Sequence, residues 1–399
     1  MPTTVHRQES TTTVRKKQQG LLLALLLSCC LLGAAGGTEP SDAEAIADLA
    51  RSLARPPSSW KAGGDACSLE GISCSTSGRV TAIDLAGMGL AGTLPSSLSS
   101  LTALESLRLG GNALSGAVPP LRAPSLTNLS LDGNAFTSLP RDFPRGMPAL
   151  RHLSMDNLPL APWPFPDAIA GCPSLRTFSA SNASVTGPFP VAAALVIANL
   201  TSIRTLRLSQ NMLTGVVPAA LGRVASLRDI SLSSNYLQGP VPHFSAGVAA
   251  DVVAGNGFCL DEPGPCNAQV TTLLQVAERF GYPLYLARSW TGNDPCRGSW
   301  LGVECSSSSS DVDMIYLYDA NLSGTIAPAI ANLTGLRRLV LANNSLTGEI
   351  PEPLTTLRKL QLLDVTNNKL TGQLPKFKPS VRVLSDGNAF GEPPGAAQS

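Results

Sequence analysis

Nine cysteines are the residues whose spacing says most about the chemistry of this 399-residue sequence. Six of them form close pairs: Cys67 with Cys74, Cys259 with Cys266, and Cys296 with Cys305. Short, separate pairs of this kind predict disulfides that each close a small loop, as in exported proteins. Zinc ligation is the alternative. The irregular spacings and the lack of a nearby histidine favour disulfides.

Cys172 has no partner at a comparable spacing. It stands at the start of a repeat, in the segment Cys172-Pro173-Ser174-Leu175. We expect it to be a small buried apolar residue, and a reactive thiol is the alternative interpretation.

Residues for catalysis are scarce. The only histidines are His6, His152 and His243, and none has a serine or cysteine partner at the spacing of a known catalytic motif. The sequence has no phosphate-binding Gly-Lys-Ser/Thr loop, no His-Glu-x-x-His pair and no protein-kinase signature. We therefore predict a chain that is not an enzyme and needs no metal and no cofactor.

The first 37 residues have the layout of a secretory signal. Basic residues precede an apolar run, Leu21 to Leu32, and small residues follow up to Gly37. An uncleaved anchor is the alternative, but the run is shorter than the roughly 20 residues that span a bilayer. The net charge of +1 gives no overall field for nucleic acid or an anionic membrane. We predict a secreted, extracellular chain with no transmembrane segment in its mature form.

A repeating pattern occupies most of the remaining sequence. Residues 200–218 and 224–242 both follow the template L-x-x-L-x-x-L-x-L-x-x-N-x-L-x-G-x-V-P with I or V at some positions, a period of 24 residues that recurs from Asn344 to Asn368. The L-x-L positions predict short strands with both apolar side chains inward, and the asparagine can bond backbone groups that the turn leaves unpaired. One repeat cannot bury its apolar face alone, so neighbours must stack and the ends need covers.

The sequence therefore predicts an α/β repeat solenoid, a leucine-rich-repeat superhelix in two blocks, each with a Cys-paired helical N-terminal cap. The predicted parts are a signal peptide (1–37), an N-terminal cap (38–79), a first block of about seven repeats (80–250), a Cys-containing island with a second cap (251–311), a second block of three repeats (312–376), and a C-terminal cap and tail (377–399).

Two details of this scheme can be tested. A helix capped by the Ser41 hydroxyl should begin the first cap, and a helix with an apolar stripe that includes Leu274 should begin the second; both stripes are expected to be packing faces without a ligand role. In the middle of the first block, Leu158 and Ala183 stand where other repeats have asparagine, and the proline-rich segment 157–164 replaces the usual turn. We expect the ladder of strands to be strained or bulged there.

This arrangement resembles the ectodomain of the plant transmembrane-kinase (TMK) subfamily of leucine-rich-repeat receptor kinases. The segment Trp290 to Cys296, the island Gly257 to Cys266 and the two unequal blocks carry the resemblance, which covers roughly Ser41 to Phe390. It implies a plant-type superhelix at the extracellular face of the plasma membrane, with a role in growth signalling that includes auxin responses. It also implies a protein or small-molecule ligand and a co-receptor as partners.

The sequence departs from the family pattern in three respects. Ala66 and Leu69 replace the proline and tryptophan expected in the first Cys motif, so we expect a less firmly packed first cap. The first block looks shorter than the family's near Pro190 to Ala198. The sequence ends at Ser399, where family members continue into a membrane helix and a kinase, and we expect these parts to be lacking.

Arginines recur at one template position in five repeats and are candidates for a ligand surface. They are Arg151, Arg176, Arg204, Arg228 and Arg337. We expect them to stack along one surface at about the 4.8 Å spacing of neighbouring strands, where a carboxylate ligand would offset their mutual repulsion. The alternative is that each side chain simply extends into water.

Asn-x-Ser/Thr sequons predict glycosylation in an exported chain. They are Asn128, Asn182, Asn199, Asn321, Asn332 and Asn343. We expect their glycans to keep partners off those faces and to leave an unglycosylated concave surface for binding.

Two classes of function remain open on the sequence. The first is a receptor-type recognition module that binds a ligand or co-receptor. The second is a secreted wall protein or enzyme inhibitor built from the same repeats. The Cys-containing island and the second cap favour the first, because inhibitor-type proteins resemble one uninterrupted solenoid.

Overall fold

The computed structural model describes residues 37–60, 64–189 and 202–391. Residues 1–36 of the predicted signal with Cys29 and Cys30, the sequon at Asn199 and the short stretch near Pro190 to Ala198 lie outside these residues.

The described residues form three α-helices, many short strands and several single 3-10 turns. The helices are α1 (Pro40–Ser52), α2 (Ala268–Arg279) and α3 (Leu284–Ser289). The strands of the first half are β1 (Ile72–Cys74), β2 (Val80–Asp84), β3 (Ala91–Gly92), β4 (Ser106–Arg108), β5 (Ala113–Ala117), β6 (Asn128–Ser130), β7 (Ala135–Ser138), β8 (His152–Ser154), β9 (Trp163–Pro164), β10 (Thr177–Ser179), β11 (Val185–Pro188), β12 (Thr205–Arg207), β13 (Met212–Val216), β14 (Asp229–Ser231), β15 (Tyr236–Gly239), β16 (Ala249–Asp251) and β17 (Gly257–Phe258). Those of the second half are β18 (Val303–Cys305), β19 (Val312–Tyr316), β20 (Ser323–Thr325), β21 (Arg338–Val340), β22 (Ser345–Gly348), β23 (Leu362–Asp364), β24 (Lys369–Leu370) and β25 (Arg382–Leu384).

The first block is built on a nine-stranded sheet in the order β1-β2-β4-β6-β8-β10-β12-β14-β16. β1 is antiparallel to β2 and the other pairs are parallel, with the central apolar residue of each strand opposite that of the next. Leu107, Leu129 and Leu153 are such residues, and all are buried. The L-x-L pattern therefore makes one stacked core, and this sheet is the concave surface of the solenoid.

A second ladder of strands lies on the turn side of the repeats. It consists of a three-stranded sheet, β3-β5-β7, and a five-stranded sheet, β9-β11-β13-β15-β17. The interruption falls between β7 and β9, at the proline-rich segment 157–164. The concave sheet, by contrast, continues in register through Leu129, Leu153 and Phe178. The expected irregularity is thus confined to the second ladder, because prolines 159, 162 and 164 have no N–H to donate to a neighbouring rung.

The template asparagines bond neighbouring rungs together. Asn112 donates through Nδ2 to the carbonyls of Leu109 (2.9 Å) and Leu85 (2.8 Å), and its Oδ1 accepts from the N–H of Leu90 (2.9 Å). The same arrangement recurs at Asn134, Asn211, Asn235, Asn256, Asn344, Asn368 and Asn388. At the two exceptional positions, Leu158 and Ala183 are buried instead. There the indole N–H of Trp163 donates to the Ala183 carbonyl at 2.7 Å.

The second block repeats the plan on a smaller scale. Its sheet has the order β18-β19-β21-β23-β25, with β18 antiparallel, and a second ladder of β20, β22 and β24. Both blocks have one rung more than the sequence pattern predicts. β16 lies partly beyond residue 250, and β25 lies in the predicted C-terminal cap.

Three disulfides join Cys67 to Cys74, Cys259 to Cys266 and Cys296 to Cys305, with Cα–Cα distances of 5.6, 5.6 and 5.5 Å. These are the pairs that the spacing predicts. Helix α1 begins at Pro40, two residues earlier than a cap at Ser41 implies, and its cap is the Glu39 side chain, which accepts from the N–H of Ser41 at 3.1 Å. The prediction of Ser41 as the cap was wrong, because Pro40 suits the first helical position and moves the start of the helix.

Candidate functional site

The concave face of the first block collects most of the predicted binding residues. Arg151, Arg176, Arg204 and Arg228 lie on consecutive rungs, immediately before β8, β10, β12 and β14. The backbone N–H of each one donates to the carbonyl of the one before it at 2.8 Å. Four of the five predicted arginines therefore form one column along an edge of this sheet.

Their side chains are not equivalent. Arg228 turns back and donates through Nη1 to the carbonyls of Ala225 (2.9 Å) and Leu227 (2.7 Å). Arg337 belongs to the sheet of the second block, where its Nε lies 3.1 Å from the Asp313 carboxylate. The expectation that Arg337 continues the same column was wrong, because the second block forms a separate sheet.

Arg151, Arg176 and Arg204 differ from these two. All three are exposed, and no carboxylate of the described residues lies within 4.0 Å of their guanidinium groups. We call these three residues the arginine edge. Because like charges on neighbouring rungs repel one another, this edge favours an anionic partner.

Neutral polar side chains lie next to the arginine edge. His152 Nδ1 is 3.2 Å from Thr177 Oγ1 on the neighbouring strand. Burial, together with the charges of Arg176 and Arg151, lowers the pKa of His152. The imidazole is therefore neutral near pH 7, and His152 and Thr177 supply hydrogen-bonding groups without charge beside the arginine edge.

Two carboxylates mark the opposite edge of the sheet, Asp132 after β6 and Asp156 after β8. Asp132 accepts from the hydroxyl of Ser130 (2.7 Å) and from the N–H of Asp156 (2.9 Å). Asp156 accepts from Ser179 Oγ (2.8 Å) and from the N–H of Ser181 (2.6 Å). The concave face consequently has a basic edge and an acidic edge, and the acidic one is already bonded by the protein.

The concave face of the second block has a different character. Tyr316 and Tyr318 are exposed by 49% and 47%, and their rings stack with centroids 6.2 Å apart. Asn343 Nδ2 donates to Tyr318 Oη at 2.7 Å, and Asn367 Nδ2 donates to Asn343 Oδ1 at 2.8 Å. This face is aromatic and carries the sequon residue Asn343.

The sequons occupy several faces. Asn128 is the first residue of the concave strand β6 and is half-buried, whereas Asn182 and Asn321 are exposed at turns. Asn332 is exposed at the end of a 3-10 turn, Pro328–Asn332, on the outer side. Asn128 therefore lies on the concave side, so the sequons do not leave that surface clear as expected. Asn182 and Asn343 share one template position, at the turn that follows a concave strand.

Cys172 is buried, and its thiol lies 3.5 Å from the Met147 carbonyl. Burial raises the pKa of this thiol to about 11, so little thiolate forms at neutral pH. These surroundings are those of a packing residue and not of a reactive thiol. Among the residues that the structure describes, no group of three or more histidine, cysteine, aspartate or glutamate side chains is placed to hold a metal ion.

Comparison with known families agrees with this architecture. A model described as a leucine-rich-repeat N-terminal domain matches residues 39–75 and 266–306, the two segments that contain the caps. A leucine-rich-repeat model matches residues 202–224 and 335–357, one segment in each block. The chain is a leucine-rich-repeat protein with two N-terminal caps.

The similar curated proteins are plant receptor kinases. The chain is 49% identical over 436 aligned positions to receptor protein kinase WSS1 of Oryza sativa subsp. japonica, a match that covers 91% of this chain and 47% of that protein. It is 33% identical to the receptor-like kinases TMK2 and TMK4 of Arabidopsis thaliana, over 67% and 76% of this chain and 38% and 40% of theirs. The resemblance to a TMK-like ectodomain is confirmed. The chain spans about half the length, or less, of these relatives.

Solved structures with a similar repeat fold include a complex of PEPR1 with AtPEP1 (TM-score 0.49, 24% identity, covering 88% of this chain and 49% of that one). Another is the ectodomain of the receptor kinase GASSHO1/SCHENGEN3 from Arabidopsis thaliana with CASPARIAN STRIP INTEGRITY FACTOR 2 (TM-score 0.46, 21% identity, 88% and 47%). Both superpositions are partial. Within the described part of this chain, no helix has the length and apolar character needed to cross a membrane.

Proposed function

We propose that this chain is the extracellular recognition module of a TMK-like receptor kinase and that it binds its ligand without altering it chemically. The observation that carries this proposal is the arginine edge, three exposed guanidinium groups on consecutive rungs without a carboxylate partner among the described residues. Guanidinium groups in such a row suit a ligand that presents a carboxylate, such as an acidic side chain or the C-terminus of a peptide.

The rest of the concave face fits an extended ligand of this kind. Neutral donors and acceptors at His152 and Thr177 lie beside the arginine edge, where they can bond a peptide backbone. Asp156 lies at the other end of the rung of Arg151, and Asp132 lies at that end of the preceding rung, so this edge disfavours the carboxylate of the ligand. The arrangement therefore selects for orientation as well as for charge.

The relatives are named receptor kinases, which supports a place at the extracellular face of the plasma membrane. We propose a co-receptor as the second partner, and a role in growth signalling that includes auxin responses, as the TMK resemblance implies.

The test is the double charge reversal Arg176→Glu with Arg204→Glu. The double variant and the unchanged protein are immobilised and presented with one random peptide pool, synthesised with free and with amidated C-termini. We expect the unchanged protein to enrich free-carboxylate peptides and the double variant to bind them about tenfold or more weakly.

Arg337→Glu is the matched control, because it changes the same residue type at the same template position where the guanidinium is already paired with Asp313. It should leave the selected peptides unchanged. Equal enrichment of free and amidated peptides by the unchanged protein, or retention of binding by the double variant, would contradict the proposed function.

A further inference from the structure

A cleft of about 610 Å³ lies where the second cap meets the first block, on the five-stranded second ladder and not on the concave sheet. Helix α2 forms one wall. The ends of β11, β13 and β15 form the other wall, with Phe189 and Val216 as its large apolar side chains. We call this space the junction cleft.

Helix α2 packs into the core with one face and lines the junction cleft with another. One is the packing stripe of Val270, Leu273 and Ala277, which belongs to the core of the second half. The other consists of residues at the i, i+3, i+4 and i+7 positions that all line the junction cleft: Thr271, Leu274, Gln275 and Glu278. Leu274, predicted only as a packing residue, therefore also contributes to the wall of a cavity.

Tyr282 fixes the distance between the two walls. Its ring lies 2.7 Å from the position that a Cβ at residue 215 would occupy, and Gly215 has a φ of +80°. Any other residue at 215 would collide with the ring and adopt a strained backbone. Burial, and secondly the charge of Glu278, raise the pKa of Tyr282, so its hydroxyl stays neutral beside that carboxylate.

Of the residues that the structure describes, Glu278 is the single charged one that lines the cleft. It is exposed at the rim, and no cation of the described residues lies within 4.0 Å of its carboxylate. An apolar cleft with one free carboxylate is complementary to a molecule with an apolar body and a positive end. Its volume is in the range of small-molecule sites, which are frequent where two structural units meet.

The chemistry of the walls argues against a peptide strand as the occupant. Pro188, Pro218 and Pro240 stand along the wall formed by the first block. Proline has no N–H, so this wall cannot form the ladder of hydrogen bonds that adds an extended strand to a sheet edge. The recognition groups that remain are apolar side chains, a few polar ends and the Glu278 carboxylate.

We propose that the junction cleft binds a small amphipathic cation, with its apolar body between Val216 and Leu274 and its ammonium group beside Glu278. The site is distinct from the concave face and does not depend on the ligand proposed there. Since both halves of the chain contribute walls, the cation binds only when the second cap is docked on the first block. Binding therefore stabilises that docked arrangement.

The experiment uses the whole chain and three probes of one shape: phenethylammonium, the neutral phenethyl alcohol and the anionic 3-phenylpropanoate. Saturation-transfer NMR titrations should give dissociation constants of about millimolar for the ammonium probe, as expected for so few atoms. The alcohol should bind more weakly and the carboxylate most weakly. Glu278→Gln should weaken the ammonium probe about fivefold, to the level of the alcohol, and leave the alcohol unchanged.

Glu262→Gln is the matched control, since Glu262 is an exposed glutamate of the same island that does not line the cleft. Gln275→Trp, from an exposed helix position, fills the cleft and should abolish binding of all three probes. Thr271→Trp fills the cleft from a second position, so the test still stands if one of the two tryptophan variants misfolds. Thermal unfolding shows whether each variant is folded. Equal binding of carboxylate and ammonium probes, or unchanged binding by both folded tryptophan variants, would overturn the proposal.

Discussion

The two caps solve one structural problem with different chemistry. Each must bond the free N–H at the start of the first parallel strand of its block. In the first cap the fully buried Asp42 accepts from the N–H of Val80 at 2.8 Å and pairs with Arg79 Nε at 3.0 Å. In the second, Gln269 Oε1 accepts from the N–H of Val312 at 2.7 Å. The requirement set by the backbone is shared, and the side chain that meets it is not.

The two caps also differ in how many aromatic residues they bury. Trp290 and Trp300 stack with ring centroids 5.5 Å apart and are almost completely buried. Trp60, the counterpart in the first cap, is 9% exposed, and Leu69 stands where the second tryptophan is expected. The second cap is therefore stabilised chiefly by aromatic burial, and the first depends more on an ion pair whose carboxylate is buried.

Removing the aromatic stack should have the largest effect on stability. We expect Trp300→Ala to cost about 4 kcal/mol, because it deletes a buried ring and leaves a cavity beside Trp290. Hydrogen exchange of the β18 and β19 amides measures the loss of local stability in the second cap. The β2 amides of the first cap are the internal control, and equal acceleration in both blocks would contradict separate stabilisation of the caps.

Removing the buried carboxylate should cost nearly as much in the other cap. We expect Asp42→Ala to lower local stability by about 3 kcal/mol, since it leaves Arg79 and the Val80 N–H without their partner. The matched change in the second cap, Gln269→Ala, removes only a neutral hydrogen bond and should cost about 1 kcal/mol. Hydrogen exchange of the β2 and β19 amides measures the two losses of local stability. A larger loss for Gln269→Ala than for Asp42→Ala would contradict the proposed difference between the caps.

The smallest change in stability is expected for a buried threonine at the junction between the two halves. Thr214, on β13, is 1% exposed, and its Oγ1 has no hydrogen-bond partner in the described structure. Replacement by valine keeps the shape and removes the unpaired hydroxyl, so Thr214→Val should raise the free energy of unfolding by about 1 kcal/mol.

Thr272→Val supplies the control in a buried threonine whose hydroxyl donates to the Ala268 carbonyl at 3.0 Å. It should lower stability by about 1 kcal/mol. Urea denaturation of both variants gives the comparison, and stabilisation by both, or by neither, would show that the unpaired hydroxyl is not costly.

The features that repeat every 24 residues could be predicted from the sequence. The inward leucines and the bonding asparagines follow from the period alone, because each repeat interacts mainly with its neighbours. The three cysteine pairs, which are not part of the repeat, follow from the short separation of their members. The extra rungs β16 and β25 were missed because Ala249-Ala250-Asp251 and Arg382-Val383-Leu384 lack the leucine pattern. Asn256 and Asn388, which make the standard asparagine bonds, were the signal that could have revealed them.

What the sequence determined by itself is the periodic core, since the template positions fix which side chains are buried in every rung. What only the tertiary structure decided is how non-repeating residues meet: which arginines lack a carboxylate partner within the described part of the chain, that Asp42 is buried beside Arg79, and that α2 and β13 enclose a cleft beside Tyr282. These contacts join residues tens of positions apart and depend on side-chain direction. No local pattern encodes such contacts, so they become visible only when the chain is folded.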